Sequence, residues 1–416
     1  MLRKRWSSFH RPILCQGSRI VLSLSTNATA VLDFTSIQQQ FQEFGRYQAA
    51  EHRLLEDRLA LALETLQELD ETWQDLVGQI EPDVPAFRVG RPMSSPARGQ
   101  GANVDRPAET TVVATDGSQI YPDRHLDPPC YLVNVSQIAL QYGTLEEPVM
   151  RATPQLRFRQ KDIETVLADT TESITANIVS ALRDQEELDA LLSIACSARR
   201  PGRFLLALGD GTLIRWMLSG LNKPKLEELL IQRYTETLSG FREQDVPVAS
   251  YVSRPASRDL VNLLRFALGE QSNRSASRLS GLTDALVYAH VLKPGDRSAV
   301  FESPIGVLDQ YAPEDQICYT YIRVPGWVGD EVARIEMPRW VAEDDILLDL
   351  LHAVVLDQAE KGRGYPSILS EAHEHAIIRR PESELFYVLL DECLVNHGLQ
   401  PVSSSYKRLS KMRPLV

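Results

Sequence analysis

Cysteine is scarce in this chain, and its few copies lie far apart. The 416 residues include five cysteines, Cys15, Cys130, Cys196, Cys318 and Cys393. No two of them have the CxxC spacing, which argues against a structural zinc site, and their odd number argues against a disulfide framework. Such a set suits a reducing compartment, so we expect a cytoplasmic protein.

Several other hallmarks are absent. No apolar run reaches the roughly 18 residues that a membrane-spanning helix needs, so we expect no membrane association. No zinc finger, internal repeat or Walker A phosphate loop occurs in the sequence.

The bulk composition is that of a folded, acidic protein. Hydrophobic residues make up 43% of the chain and charged residues 24%, which is enough for a packed core. The formal net charge of -12 argues against a protein that coats itself nonspecifically with nucleic acid. It still permits a local basic groove, and carboxylates that hold metal ions would add to the negative count.

Shifts in composition divide the chain into five segments. The first 32 residues are basic without one acidic residue; they resemble an organellar transit peptide, although a disordered arm or a start-site extension explains them better. A proline-free stretch with leucines at helical spacing follows, and then a stretch rich in proline, glycine and serine. We predict an N-terminal arm (1–34), a long helix that contacts a second copy or a partner (35–80), a linker (81–109), the main domain (110–400) and a basic tail (401–416).

From residue 110 onwards, predicted strands and helices alternate. A β-branched run at 110–115 ends at Asp116, and an apolar run at 204–208 ends near Asp210. Other strands are predicted at 130–141, 147–158 and 246–252, and helices at 160–198, 212–218, 225–242 and 256–268. This order resembles an RNase H-like core, in which the first and fourth strands are neighbours and parallel. The two aspartates should therefore meet at the carboxyl ends of those strands.

Beyond residue 280 the sequence predicts additions to that core. They are helices at 282–292, 343–360 and 366–379 and strands near 298–303, 316–324 and 332–337. The predicted fold class is α/β: an RNase H-like mixed sheet flanked by helices, with a long N-terminal helix and C-terminal α+β additions.

Paired carboxylates at strand ends suit phosphodiester hydrolysis. Two divalent ions about 3.5–4 Å apart can activate a water and stabilise charge on the entering and leaving oxygens, and such ions prefer carboxylate ligands. Each aspartate, however, is followed by glycine, and Asp-Gly is a common turn pair. On the residues alone, a metal site and two ordinary turns both remain open for Asp116 and Asp210.

Four short motifs in order resemble those of the NurA nuclease family. They are TDGSQIYPDR at 115–124 with Asn134 and Tyr142-Gly143 downstream, LGDGTL at 208–213, LTD at 282–284 with LKPGDRS at 292–298, and GYP at 364–366 followed by AHE at 372–374. The second motif is usually written DGSL, so Thr212 is a mild departure. The match runs from about residue 110 to 380.

The resemblance implies metal-ligand roles for Asp116 and Asp210, joined by a helix-borne glutamate upstream of the second aspartate. We select Glu187, with Glu186 as its rival, although their acidic run is also typical of a solvated helix face. Asp284 is carried as a further ligand, although an aspartate that starts a helix can simply cap it.

Two histidines stand two positions apart in the last motif, on a predicted helix. Because His373 and His375 would point to different faces, at most one of them faces the site. The family pattern favours His373, as a metal ligand or as a proton donor to the leaving oxygen. A lone helix histidine is otherwise more often structural.

Arginines concentrate between the second and third motifs. They are Arg254, Arg258, Arg265, Arg274 and Arg278. Their guanidinium groups suit phosphate oxygens, or they merely balance surface charge. We assign DNA binding to Arg254 and Arg258, and to Tyr365 of the last motif, which could instead only pack.

These inferences predict an Mn²⁺- or Mg²⁺-dependent DNA nuclease. The resemblance implies 5′→3′ exonuclease and single-strand endonuclease activity in DNA end processing and repair, a homodimer, and a hexameric HerA-type ATPase as partner. An actin-like or sugar-kinase-like ATP-binding phosphotransferase shares the core but normally needs a second such domain. A non-catalytic subunit of a DNA-processing complex is the third alternative, against which the intact aspartate pair argues.

Overall fold

The computed structural model describes residues 34–80, 87–122, 129–159, 174–221, 223–271 and 277–401. The predicted arm up to residue 33, Arg274 and the basic tail beyond residue 401 lie outside these ranges. The chain divides into two compact units, Met1–Leu54 and Leu55–Val416. Among the described residues, none of the helices is long and apolar enough to cross a membrane.

The predicted N-terminal helix is present but shorter than expected. Helix α1 spans Phe34–Glu68 and is followed, after a turn, by α2 at Trp73–Gly78. Within the first unit, α1 exposes Phe41, Phe44 and Tyr47 to solvent.

The described strands of the second unit form one mixed sheet of nine. They are β1 (Arg91–Pro92), β2 (Thr110–Ile120), β3 (Tyr131–Tyr142), β4 (Val149–Arg157), β5 (Phe204–Asp210), β6 (Val248–Val252), β7 (Phe301–Glu302), β8 (Ile317–Val324) and β9 (Glu331–Pro338), in the spatial order β1-β7-β8-β9-β6-β5-β2-β3-β4. The short β1 lies within the segment predicted as a linker.

Five of these strands form the predicted RNase H-like core. β2, β3 and β4 are antiparallel neighbours, β5 pairs in parallel with β2, and β6 pairs in parallel with β5. The first and fourth strands of this core are therefore adjacent and parallel, which confirms the predicted fold class. The C-terminal additions extend the same sheet, because β9 pairs antiparallel with β6 and continues it through β8.

Helices cover both faces of the sheet. Their bounds are α3 (Ala176–Ala198), α4 (Pro224–Glu243), α5 (Asp259–Ala267), α6 (Asp284–Val291), α7 (Arg339–Ala342), α8 (Asp345–Lys361), α9 (Ser367–Ala376) and α10 (Arg380–Asn396). On one face, Val112, Ala114 and Leu208 pack with α8 and α9. On the other, Val113 and Leu205 pack with α3 and α4. The alternation follows from the two-residue period of a strand.

A third core cluster holds the C-terminal half of α1. Ala62 and Leu66 of α1, together with Leu69 directly after it, pack there with buried residues of α5 and α6. This part of the leucine stripe therefore contacts its own unit.

Two predicted elements differ in detail. The helix predicted at 212–218 is a turn followed by a 3-10 helix at Trp216–Leu221. Strand β2 does not end at Thr115 but continues to Ile120, because β3 remains paired with it as far as Leu132. Asp116 thus lies within a strand rather than at its end.

Candidate metal and nuclease site

Asp116 and Asp210 occupy equivalent positions on neighbouring parallel strands. The β2–β5 register pairs Ala114 with Leu208, and each aspartate stands two residues further along its strand. Neighbouring strands lie about 4.8 Å apart, and residues in this register point to the same face. The two carboxylates therefore lie side by side where the β2–β5 pairing ends, 94 positions apart in sequence.

Both aspartates face α9, whose C-terminal end is tied to the strands. Ser118 Oγ and Asn134 Nδ2 donate hydrogen bonds to the carbonyl oxygen of Ala376, at 2.5 and 2.8 Å. Ser136 Oγ donates to the carbonyl of Ala372 at 2.8 Å. Carbonyls in the last turn of a helix lack partners within it, so these polar side chains fix the helix end.

This docking brings His373 to Asp116. Its Nδ1 lies 2.8 Å from Oδ2 of Asp116, while the other carboxylate oxygen accepts a hydrogen bond from the backbone of Gly117 at 2.8 Å. His375 is turned away, with Nδ1 on the carbonyl of Glu371. The structure thus places His373, and not His375, beside the aspartates.

Tyr365 precedes the same helix and contacts the second aspartate. Its hydroxyl lies close enough to the Asp210 carboxylate to lower the pKa of that carboxyl. The ring packs edge-on against Tyr251, with centroids 5.5 Å apart. Partial burial raises the pKa of Asp210, the Tyr365 hydroxyl lowers it, and repulsion from Asp116 raises it again.

Glu187 approaches from the opposite face of the sheet, on α3. Its Oε1 lies beside Gly117, where a Cβ atom would collide with that oxygen and with Cγ of Arg183. Only glycine leaves room for this carboxylate next to the strand that carries Asp116. Thr115 holds the helix here by donating from Oγ1 to the carbonyl of Glu187 at 3.0 Å.

The charge on Glu187 is only partly balanced. Nε of Arg183 lies 3.0 Å from Oε1, yet that buried oxygen has no well-aligned hydrogen-bond donor among the described residues. Burial raises the pKa of Glu187 to about 8; Arg183 opposes the shift, and Asp184 and Asp116 increase it. The rival Glu186 instead pairs with Arg157 at 3.1 Å.

Asp284 belongs to a different cluster. It is fully buried, and its carboxylate accepts hydrogen bonds from the backbone of Asp259 and Val261 and from the hydroxyl of Tyr321, at 2.8, 2.9 and 2.6 Å. It caps α5 rather than its own helix, whose cap is Thr283. With both oxygens held by protein donors, Asp284 is not brought together with Asp116 and Asp210.

The predicted arginines divide into three kinds. Arg254 is exposed and pairs with Glu331 at 2.8 Å. Arg258 is half-buried and contacts the carbonyl of Leu279. Arg265 is buried in an ion pair with Glu270 at 2.9 Å, which removes it from any phosphate-binding surface.

The side chains around Asp116 include the types of ligand that a hard divalent cation binds. Carboxylate oxygens are the ligands that Mn²⁺ and Mg²⁺ prefer, whereas the imidazole of His373 is a softer donor. The absence of a Cβ atom at Gly117 leaves room for the third carboxylate, Glu187. Within the described ranges, no three His, Cys, Asp or Glu side chains are already arranged around one metal position. At Glu187, the guanidinium of Arg183 is the nearest counter-charge.

Sequence reasoning missed several residues that build this site. Arg183, Ser136 and Asp184 were not singled out, although Arg183 lies four residues before Glu187, which is a signal for an ion pair on one helix face. Arg183 also contacts Asp184 at 2.7 Å. Ser118 and Asn134 were included in the resemblance without a role, and the structure shows that they fix α9.

Comparison with known proteins identifies the family and the fold. The NurA domain family matches residues 110–378. The crystal structure of the NurA nuclease from Sulfolobus solfataricus is similar over 87% of this chain and 98% of that chain, with 13% identity and a TM-score of 0.50. LC9-RNase H1, a type 1 RNase H with the type 2 active-site motif, matches 46% of this chain and 90% of its own, with 12% identity and a TM-score of 0.20, too low to bear on the fold. No curated protein matches the chain.

Proposed function

The chain belongs to the NurA family, and we propose that it is a metal-dependent nuclease that hydrolyses phosphodiester bonds of DNA. The main support is that Asp116 and Asp210 each stand two residues beyond the paired residues Ala114 and Leu208 on adjacent parallel strands. His373 contacts Asp116 at 2.8 Å. Mn²⁺ or Mg²⁺ bound by Asp116, Asp210 and Glu187 would supply the positive charge that activates water and stabilises the entering and leaving oxygens.

Side chains of the protein would orient the metal ligands and take part in proton transfer. Tyr365 orients Asp210 through its hydroxyl, and the tied end of α9 holds His373 against Asp116. From there the exposed imidazole is placed to serve as a ligand or to deliver a proton to the leaving oxygen. Arg183 lies 3.0 Å from Glu187 and is its nearest cation. Arg254 and Arg258 are proposed to contact the DNA backbone.

The finer activities that we propose are those that the resemblance to the NurA family implies. They are 5′→3′ exonuclease and single-strand endonuclease cleavage in DNA end processing and repair. The exposed aromatic residues of α1, Phe41, Phe44 and Tyr47, are the proposed contact with a second copy of the chain or with a HerA-type ATPase. Light scattering of a Phe41→Glu/Phe44→Glu variant tests the homodimer, which should become monomeric.

A cleavage assay tests the nuclease itself. The purified protein is incubated with end-labelled single- and double-stranded DNA in Mn²⁺, Mg²⁺ or EDTA, beside Asp116→Ala and a control, Asp345→Ala, which changes an exposed aspartate of α8. We expect the wild type and the control to cut with metal only, and Asp116→Ala to be inactive. Equal cutting by all three would refute the site, and no cutting by the wild type, alone or with a HerA-type ATPase, would favour a non-catalytic subunit.

A further inference from the structure

A buried carboxylate from another strand holds the turn that follows Asp210. Thr212 Oγ1 and the backbone N–H of Leu213 both donate to Oε2 of Glu336, at 2.8 and 2.9 Å. Glu336 lies in β9 with 3% of its surface exposed, and β6 separates β9 from β5. One oxygen of this buried side chain thus accepts hydrogen bonds from both residues that follow the Asp210-Gly211 pair.

The other oxygen of Glu336 leads to the cluster that contains Asp284. Arg334 donates from Nε to Oε1 of Glu336 at 2.8 Å and from Nη1 to Asp259 at 2.9 Å. The backbone N–H of Asp259 in turn donates to Asp284. A continuous series of hydrogen bonds therefore runs from the buried third motif to the turn of the second.

The turn has conformational freedom that such an anchor restricts. Gly211 adopts a φ of 79°, in the left-handed region that glycine enters without strain. Its N–H donates to the carbonyl of Tyr251 at 3.0 Å, and Thr212 Oγ1 also accepts from the N–H of Ile214 at 3.0 Å. Glu336 fixes the side of the turn that these local contacts leave open.

Stability alone is a poor reason for this arrangement. Replacing a buried ion pair by packed apolar residues is often neutral or stabilising. The Arg334–Glu336 pair is nearly inaccessible to solvent. We therefore infer that Glu336 serves to fix the positions of the two groups that donate hydrogen bonds to it. Those donors, Thr212 and Leu213, stand two and three residues after Asp210, whose carboxylate must stay beside that of Asp116.

We propose that Thr212 and Glu336 are positioning residues that hold Asp210 in its metal-binding orientation. The inference rests on the proposed function. The hydroxyl of Thr212 is the group that matters, so serine should replace threonine here, whereas valine should not. Asp284 is then an anchor of the site through Asp259 and Arg334, and not a ligand.

Three threonine variants of the full chain test the proposal. Thr212→Val removes the hydroxyl and keeps the shape, and Thr212→Ser keeps the hydroxyl. Thr320→Val is the matched control, because buried Thr320 in β8 donates to the carbonyl of Ser298 at 3.0 Å and contacts none of the site residues. For each variant, Mn²⁺ affinity is measured by calorimetry without DNA. The kcat and KM are measured with single-stranded DNA as substrate, and the Tm is measured in EDTA.

Partners that orient metal ligands typically contribute 10- to 100-fold to affinity or activity. We expect Thr212→Val to bind Mn²⁺ about ten-fold more weakly and to lose about ten-fold in kcat with an unchanged KM for DNA. Thr212→Ser should match the wild type, and Thr320→Val should lose Tm without changing Mn²⁺ affinity or kcat.

Equal Mn²⁺ affinities in Thr212→Val and Thr320→Val would overturn the proposal. If Thr212→Val does not fold, Thr212→Ala, which adds no bulk, is measured in the same way. A wild type that binds Mn²⁺ but cuts no DNA would refute the proposed nuclease, and the Mn²⁺ affinities of the variants would still decide the positioning role. A wild type that binds no Mn²⁺ would refute both.

Discussion

Glu187→Gln replaces a carboxylate whose ionised form is disfavoured by burial. Burial raises its pKa from the ordinary 4.5 to about 8. The unfolded chain therefore releases this proton near pH 4.5, whereas the folded protein keeps it until near pH 8. Between these values the folded state binds one more proton than the unfolded state, so the free energy of unfolding falls as pH rises.

The structure sets the size of this effect. Each pH unit in that window corresponds to about 1.4 kcal/mol, which gives an upper limit of about 5 kcal/mol. Because the side chain keeps 22% of its surface exposed, solvent screening reduces the penalty, and we expect roughly 2–3 kcal/mol. Glu187→Gln has no such titration and should exceed the wild type in unfolding free energy by about that amount at pH 8, and by little at pH 5.

Urea unfolding followed by tryptophan fluorescence in EDTA, at pH 5, 6.5 and 8, measures the difference. Glu236→Gln is the control, since Glu236 is exposed on α4 and bonds only to the side chain of Gln232 among the described contacts. The control should keep the pH dependence of the wild type. A Glu187→Gln variant with the same slope as the wild type would refute the argument that this carboxylate is strained in the metal-free fold.

Three further substitutions separate ligands from structural residues. Asp210→Asn should abolish cleavage and leave the Tm in EDTA equal or higher, because repulsion from a neighbouring carboxylate is relieved; a large drop in Tm would mark a structural aspartate. Gly117→Ala should cost about 1–2 kcal/mol through overpacking and weaken Mn²⁺ binding in calorimetry, because its Cβ displaces Glu187; unchanged affinity would exclude that carboxylate from the ligand set. Asp284→Ala should destabilise the protein by about 3 kcal/mol while the folded fraction still cuts DNA at low temperature; an inactive protein of unchanged Tm would make Asp284 a ligand after all.

The strand order is the part of the fold that sequence reasoning predicted best. The C-terminal strands were expected near 316–324 and 332–337 and lie at Ile317–Val324 and Glu331–Pro338, because buried strands read as apolar runs. The turn after Asp210 was misjudged as a helix, since its conformation depends on Glu336, which is more than 100 positions away in sequence. The helix propensity of residues 212–218 is a local property and contains no information about a contact with Glu336.

The candidate metal ligands likewise could not be separated from structural residues by local sequence alone. Asp284 and Glu187 are both acidic residues on predicted helices, and nothing local distinguishes them. Packing places the Asp284 carboxylate at the N-terminus of α5, where backbone N–H groups donate hydrogen bonds to it. Packing places Glu187 beside Gly117, where its Oε1 atom accepts no hydrogen bond from the described residues. Their opposite surroundings arise from contacts between distant segments.

The sequence by itself determined the order of strands and helices and, through it, that Asp116 and Asp210 stand on adjacent parallel strands. They lie side by side because each is two residues beyond the last paired residues, Ala114 and Leu208. The family resemblance already favoured His373 and Glu187, but only the tertiary structure shows their surroundings. His373 lies against Asp116, and Glu187 lies beside Gly117 while Glu186 pairs with Arg157. Those surroundings depend on how α3 and α9 dock on the sheet. Docking is set by hydrogen bonds and packing between segments far apart in the chain, which no local pattern encodes.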